Sequence, residues 1–482
     1  MRITHSIWPG RRAAAPVVLA GALLVAACGD LDIANNNAPT LETLTSSPTR
    51  TILARAATGI FSQMYNDVNT EVGVYALYGR EGYNLLGTDP RETQEQFRGP
   101  PDPTGRHSAI WIGPYQAIRT INTYLSALTT ATGFSPEELR ASQGFAKTMK
   151  AWMLHRVAIR TGELGIPTEV DQPLGAPPAP FVSFSVALQT AAALMDEGYA
   201  DLQAGGATFP FTVAPGFAGG FTTPSTFAQF NRALAAKMQV HRATFLDCAA
   251  CWALASTAMN ASFVTTSNLP TSLATGVYYA YSLTANEPAN PISEPLSSDR
   301  FWVHPSILNG AQQQPNGQPD RRLTSKTMAA GRSVTLNDLT GTHKPILYNQ
   351  PGAPASANLA APIPWITNEE LLLLRAEIRW NTGDRQGAID DINLVRQHAG
   401  GLGPAALTTG SSTDDFVTEL LYNRTYSLMW TQGTRWIDAR RYDRTATLPL
   451  DRPGDIIYPH MIIPAAECDA RGLPTPCTVL GG

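Results

Sequence analysis

The chain has 482 residues, with 35 Lys and Arg against 39 Asp and Glu, a formal charge of −4, and no basic run. That balance leaves little electrostatic affinity for nucleic acid or anionic lipid. An apolar fraction of 43%, with 16 Phe and 15 Tyr, can fill a sizeable core, and the length admits two or three domains, although no linker clearly separates them.

The first element is a leader. Arg2, Arg11 and Arg12 precede an apolar run from Ala13 to Ala27, too short for a membrane span and lacking a stop-transfer flank. Val25-Ala26-Ala27 leads directly into Cys28, the layout of a lipobox, which predicts acylation of the thiol and cleavage before Cys28. The alternative is an ordinary signal peptide that happens to be followed by cysteine. Residues 1–27 then form a removed lipoprotein signal and 28–48 an N-terminal tether. One acyl chain binds a bilayer at only roughly 10⁴ M⁻¹, so the several chains of a bacterial lipoprotein make attachment permanent. Removing the leader takes three basic residues and no acid, so 32 bases face 39 acids, a charge of −7. No later segment approaches 18 consecutive apolar residues.

From about residue 50, helical periodicity alternates with loops rich in Gly and Pro. Helices are predicted over 49–67, 109–130, 136–161, 184–204, 226–246, 249–260, 368–382, 385–399 and 413–430. Irregular segments separate them: 165–181, 205–225, 262–325 and 331–364. The strand signal is thin, with Val277 to Leu283 as one strand of a small hairpin. The clearest helical pair spans 367–400. Thr367 and Glu370 have capping-box spacing, Gly383 breaks the helix, Asp384 can cap the next one, and Gly400-Gly401 ends it. Ala376 and Ala388 lie twelve residues apart across the turn, and Ala243 and Ala255 repeat that interval. It is the spacing at which tetratricopeptide hairpins need small residues for close helix approach. The expected fold is therefore mostly all-α: tetratricopeptide-like repeats with long loops and at most a small β-hairpin, in a single domain over 49–482 with loop insertions at about 262–364.

With Cys28 spent on lipid, the remaining cysteines form two locally spaced pairs, Cys248/Cys251 and Cys468/Cys477. Outside the cytoplasm such pairs are disulfides by default. Cys248-Ala249-Ala250-Cys251 can also be read as a redox or metal site, but no βαβ pattern and no second ligand pair at zinc spacing accompanies it. No metal or cofactor is expected.

Three C-terminal blocks carry a resemblance to the SusD/RagB family of outer-membrane nutrient-binding lipoproteins. The first runs from Asn368-Glu369-Glu370-Leu371 through Arg375-Ala376-Glu377 to Gly383-Asp384, Ala388-Ile389 and Ile392-Asn393-Leu394-Val395-Arg396. The second is Asn423-Arg424 through Gln432-Gly433-Thr434-Arg435-Trp436-Ile437-Asp438-Ala439-Arg440. The third is Met461-Ile462-Ile463-Pro464 with Glu467. Weaker matches include Trp111, Tyr115, Ile118, Asn122, Ala151-Trp152, Leu164 to Pro167 and Asn231 to Ala236. Asn423-Arg424 and Gln432-Gly433 depart from the family's usual Glu-Arg and Glu-Gly. Glu377, Arg396, Arg424, Arg435, Asp438 and Arg440 sit on or beside apolar helices and read as fold-defining ion pairs, since a buried charge is tolerated only when paired.

The resemblance implies a non-enzymatic, outward-facing outer-membrane receptor that passes a glycan or peptide to a SusC-type TonB-dependent transporter. A glycan site without chemistry needs flat apolar faces and a few polar groups in loops. The leading aromatic candidates are Tyr75, Tyr78, Tyr83, Tyr279, Tyr281, Phe301 and Trp302, with Tyr278 beside them. Nearby polar candidates are Asn84, Asp89, Arg91, Asn286, Glu287 and Asp299. In an extended 277–283, Tyr279 and Tyr281 share a face and Tyr278 points away. The bland alternative is that these rings fill gaps beneath long loops. Enzyme signatures are absent: no nucleophile elbow, no His-Glu-x-x-His, no phosphate loop, and eight scattered histidines. The competing classes are a surface glycan-degrading enzyme, with carboxylates spread over several loops, and a helical-repeat scaffold lipoprotein that binds only protein.

Overall fold

The computed structural model of the protein describes residue 46 and residues 48–173, 175–285 and 287–480. The leader, Cys28, most of the tether and Asn286 lie outside the described residues. The principal helices are α1 (Arg50–Gln63), α2 (Val68–Tyr78), α3 (Arg106–Leu128), α4 (Pro136–Thr161), α5 (Phe184–Gln203), α6 (Pro224–Phe245), α7 (Ala249–Asn260), α8 (Asn368–Asn381), α9 (Arg385–Val395), α10 (Thr413–Ser427) and α11 (Thr434–Arg441). They pack as successive antiparallel neighbours, α3 on α4, α4 on α5, α5 on α6, α6 on α7 and α8 on α9. The helical-repeat fold class expected from the periodicity is the one observed.

Local sequence explains most of these boundaries. In α1, Leu53, Ala56, Ala57, Ile60 and Phe61 form the buried stripe, at the spacing of one helical face. Helix α4 starts on a capping box, with Ser135 Oγ accepting from Glu138 N–H at 3.2 Å and the Glu138 carboxylate accepting from Ser135 N–H at 3.0 Å. Helices α4 and α5 cross at Gly144 and Gly198, where a Cβ on Gly144 would stand 2.7 Å from the Gly198 carbonyl oxygen. Only glycine permits that approach. In the α8–α9 hairpin, Ala376 and Ala388 are fully buried, Asp384 accepts from Gly387 N–H, and Gly401 closes the pair in the left-handed conformation. Thr367 makes no side-chain cap, in contrast to the capping box predicted there. Glu370 turns instead to Lys237 of α6, at 2.9 Å, because a buried ammonium is the stronger partner.

Helix α2 departs from the predicted elements. Its residues are buried on all sides, so the segment has no polar face and shows no amphipathic period. Helix α11, eight residues long, is likewise not among the predicted helices. The β content is also larger and less local than a single hairpin. The described residues contain five antiparallel two-stranded pairs. Strand β1 (Gly82–Asn84) pairs with β5 (Phe301–Val303), and β2 (Ile166–Pro167) with β3 (Phe181–Val182). Strand β4 (Gly276–Tyr279) pairs with β10 (Ile363–Thr367), β6 (Thr327–Leu336) with β7 (Leu339–Pro345), and β8 (Asn349–Gln350) with β9 (Ala353–Ala357). Two of the pairs are tight hairpins: β8–β9 turns at Pro351-Gly352, and β6–β7 turns at Asn337-Asp338 with φ of 49° and 64°, the two positive values that a type I′ turn requires.

A charged lattice joins the C-terminal helices. Arg441 lies between Glu377 and Asp438, and Asp438 accepts from Arg424 at 2.6 Å, with every member buried. Arg396 pairs with Glu419. Arg435 and Arg440 go instead to main-chain carbonyls, of Arg80 and Ile159. Cys248–Cys251 and Cys468–Cys477 are disulfide-bonded. No helix among the described residues is long and apolar enough to cross a membrane. No group of three or more His, Cys, Asp or Glu among them is placed to hold a metal.

Candidate functional site

Six of the seven leading aromatic candidates are core rings, each at most 2% exposed: Tyr75, Tyr78, Tyr83, Tyr279, Phe301 and Trp302. They form no ligand platform as they stand, which corrects the expectation that they line an open surface. Tyr75 and Tyr78 belong to α2 and pack on Trp436. Tyr83 of β1 lies opposite Trp302 of β5 and donates its hydroxyl to Asp451 at 2.9 Å. Trp302 Nε1 donates to the Asp299 carbonyl, while Lys344 and Arg332 lie over its ring. These segments read as loops because they are short strands and a helix buried on every side. Laid over the core, their rings are the largest apolar surface available to bury. The polar candidates near them are largely engaged: Asn84 accepts from Leu86 N–H, Arg91 bridges Asp89 and Asp102, and Asp299 pairs with Arg332.

Tyr281 alone of the seven is half-buried. It stands edge-on to Tyr65, as Tyr279 does on the same side. Beside them, Tyr278 takes the opposite face of β4 and is partly exposed. It is the residue on which a site can be built.

Strand β10 lies against β4, with Pro364 opposite Tyr278 and Ile363 opposite Tyr279. One flank of this ribbon opens into a cleft of about 350 Å³, lined by Tyr278, Pro270, Pro362, Pro364 and Leu347, with Lys326, Glu369, Glu370, Lys237 and Gln432 as its polar groups. The other flank forms a hollow of about 540 Å³ lined by Tyr278, Tyr281, Pro215, Gly216 and Pro362. Tyr278 and Pro362 belong to both. The Tyr278 hydroxyl donates to the Ala274 carbonyl, which fixes the ring as a divider. Behind the strand, Gly216 makes the fit possible, since a Cβ there would stand 1.8 Å from the Tyr278 carbonyl oxygen.

The polar groups are held from outside the cleft. Lys326 Nζ donates to the Tyr426 carbonyl at 2.7 Å and to that of Ser427. Burial pulls its pKa below the ordinary value, and Glu369 opposes that pull. Gln432 Nε2 donates to the Trp365 carbonyl at 2.9 Å, leaving its side-chain oxygen to accept. Glu369 Oε1 has no hydrogen-bond partner among the described residues. The result is a shallow site with proline and tyrosine faces, one carboxylate oxygen ready to accept, and an ammonium nearby. That combination suits hydroxyl-rich, non-planar ligands. Glu369, Lys326, Pro362 and Pro364 are not among the sequence-derived candidates, because they meet Tyr278 only through the pairing of strands some 85 residues apart in the chain.

No family model and no curated protein matches the chain. Solved structures do. NanU of B. fragilis is 13% identical, with a TM-score of 0.65 over 92% of this chain and 98% of that one. A SusD superfamily protein from Bacteroides vulgatus ATCC 8482 is 16% identical, with a TM-score of 0.67 over 89% and 99%. Surface glycan-binding protein A from Bacteroides thetaiotaomicron is 13% identical, with a TM-score of 0.64 over 90% and 99%. Nearly the whole length of each chain superposes, so the likeness is one of complete fold.

Proposed function

With the SusD-superfamily fold as premise, we propose that this chain is a surface-exposed outer-membrane lipoprotein that binds an oligomeric nutrient, a glycan first and a peptide second, without altering it. The bound oligomer then passes to a SusC-type TonB-dependent transporter. The observation that carries this reading is the double hollow divided by Tyr278. Its faces are apolar and its polar groups are few and braced, as binding without chemistry needs. The names of the similar structures support the glycan over the peptide, since one of them is called a surface glycan-binding protein. Cys28 and its lipobox supply the anchor in this proposal.

The test has two readouts. Residues 29–482 are run through native gels cast with a panel of polysaccharides, and each retarding glycan is incubated with the protein and analysed for products. Retardation with unchanged glycan is the expected outcome. Accumulating product would replace the receptor by a hydrolase, and failure to bind any glycan or peptide would favour a scaffold. Gentle detergent extraction of the native lipoprotein should bring with it a stoichiometric β-barrel transporter.

A further inference from the structure

A second cavity lies deeper, sharing Lys237, Gln432 and Thr434 with the wall of the cleft. It measures about 20 Å³, room for one particle the size of a water or a halide. Its walls come from α2, α4, α6, α10 and α11. Three hydrogen-bond donors on its lining residues have no acceptor among the described residues: Arg160 Nε, Arg424 Nη1 and the Tyr75 hydroxyl. Leaving buried donors unpaired is costly, more so when they are charged.

The charges around it do not balance. Five buried cations, Arg156, Arg160, Lys237, Arg424 and Arg441, meet four carboxylates, Glu71, Glu370, Asp438 and Glu377. Arg440 and Asp67 flank the cluster, one of each sign, with Glu163 against Arg440; among the residues that line the cavity itself, Arg156, Arg160, Lys237 and Arg424 stand with a single carboxylate, Glu71. His155 and His241, stacked with ring nitrogens 3.1 Å apart, are kept neutral by burial and add nothing. An uncompensated buried charge is far less stable than a compensated one. The space admits neither a carboxylate nor a phosphate.

We propose that this cavity is a structural site for one monatomic monovalent anion, of the halide class, held by Arg160, Arg424 and Tyr75. The ion would complete the charge balance of the core behind the cleft, independently of what the cleft binds.

Crystals of the full mature chain equilibrated in sodium bromide should give an anomalous peak at the bromine edge inside this cavity, within hydrogen-bond reach of Arg160 and Arg424. Density there without anomalous signal would assign a water and overturn the proposal. Thermal unfolding in sodium bromide against sodium gluconate at equal ionic strength gives a second readout. The halide should raise the midpoint saturably, the folding equilibrium shifting about 100-fold at one hundred times Kd. Arg160→Met should erase that difference. Should that variant not fold, Tyr75→Phe, which removes one donor and no charge, should weaken it. Superimposable curves for the two salts would equally overturn the site.

Discussion

Tyr279 lies flat on Trp365, with ring centroids 4.6 Å apart and planes 6° from parallel. The two residues belong to β4 and β10, so the stack clamps the ribbon onto the core and turns Tyr278 outward. Adjacent tyrosines thereby take opposite duties, one holding the strand down and the other facing the cleft.

Exchanging each for alanine should separate those duties. Tyr279→Ala should lose about 3–5 kcal/mol of stability, the usual loss for a large buried ring. Tyr278→Ala should leave the urea midpoint nearly unchanged and weaken binding of a retarding glycan at least about tenfold, or about 1.4 kcal/mol. A Tyr278 variant that binds as well as the parent would remove the cleft from consideration.

Gly216 should tolerate no side chain. Its Cβ would meet the Tyr278 carbonyl at 1.8 Å, so Gly216→Ala must push β4 aside and should weaken both stability and glycan retardation. Gly59 is the control. It sits on the exposed side of α1, where an added methyl group would meet nothing within 4 Å, and Gly59→Ala should stabilise by roughly 0.5–1 kcal/mol. Equal effects at the two positions would contradict this packing.

Breaking the ion lattice should be expensive. Glu377→Gln leaves Arg441 with Asp438 as its one carboxylate partner, which should cost up to about 3 kcal/mol in urea denaturation. Replacing both partners, Glu377→Leu with Arg441→Met, should recover part of that loss, because neither charge is then buried and Asp438 keeps Arg424 as its partner.

Stability should depend on pH through opposing groups. Burial pushes the Glu81 carboxyl up from 4.5 to about 7, against the pull of the Trp430 N–H. The folded chain therefore keeps a proton that the unfolded chain has released, and this contribution, complete below about pH 4.5, is lost as pH rises through 7. Burial draws His155 down from 6.5 to about 3, and His241 in the same direction. Their contribution is present above pH 6.5 and lost as pH falls toward 3. Two histidines outweigh one carboxyl, so stability should rise with pH between about 4.5 and 6.5. Glu81→Gln should steepen that rise by removing an opposing contribution of about 3 kcal/mol. An unchanged slope in the variant would show that Glu81 titrates normally.

The parts of the fold that are legible in the sequence are those whose signal is local. The α8–α9 hairpin announces itself through period, Asp384 and Gly401, and the cysteine pairs through their short intervals. Helix α2 is hidden because a helix buried on every side has no period to read, and with it goes the true place of Tyr75 and Tyr78. Glu370 has the spacing of a cap, but a lysine 133 positions away wins it. The Asn337-Asp338 turn of β6–β7 is a local signal too, but it sits between strands whose own alternation is weak. For the cleft, only the tyrosine run can be seen, since strand pairing over a long interval leaves no local trace.

The cleft draws most of its apolar lining from Pro270 to Pro364, outside the paired helices. The apolar faces of the cleft and the helical frame are thus written largely in separate passages of the chain, while the polar groups Lys237, Glu369 and Glu370 stand on the frame itself. One passage can be rewritten while the other is left intact, and that division is the natural place to graft a new specificity onto an old frame.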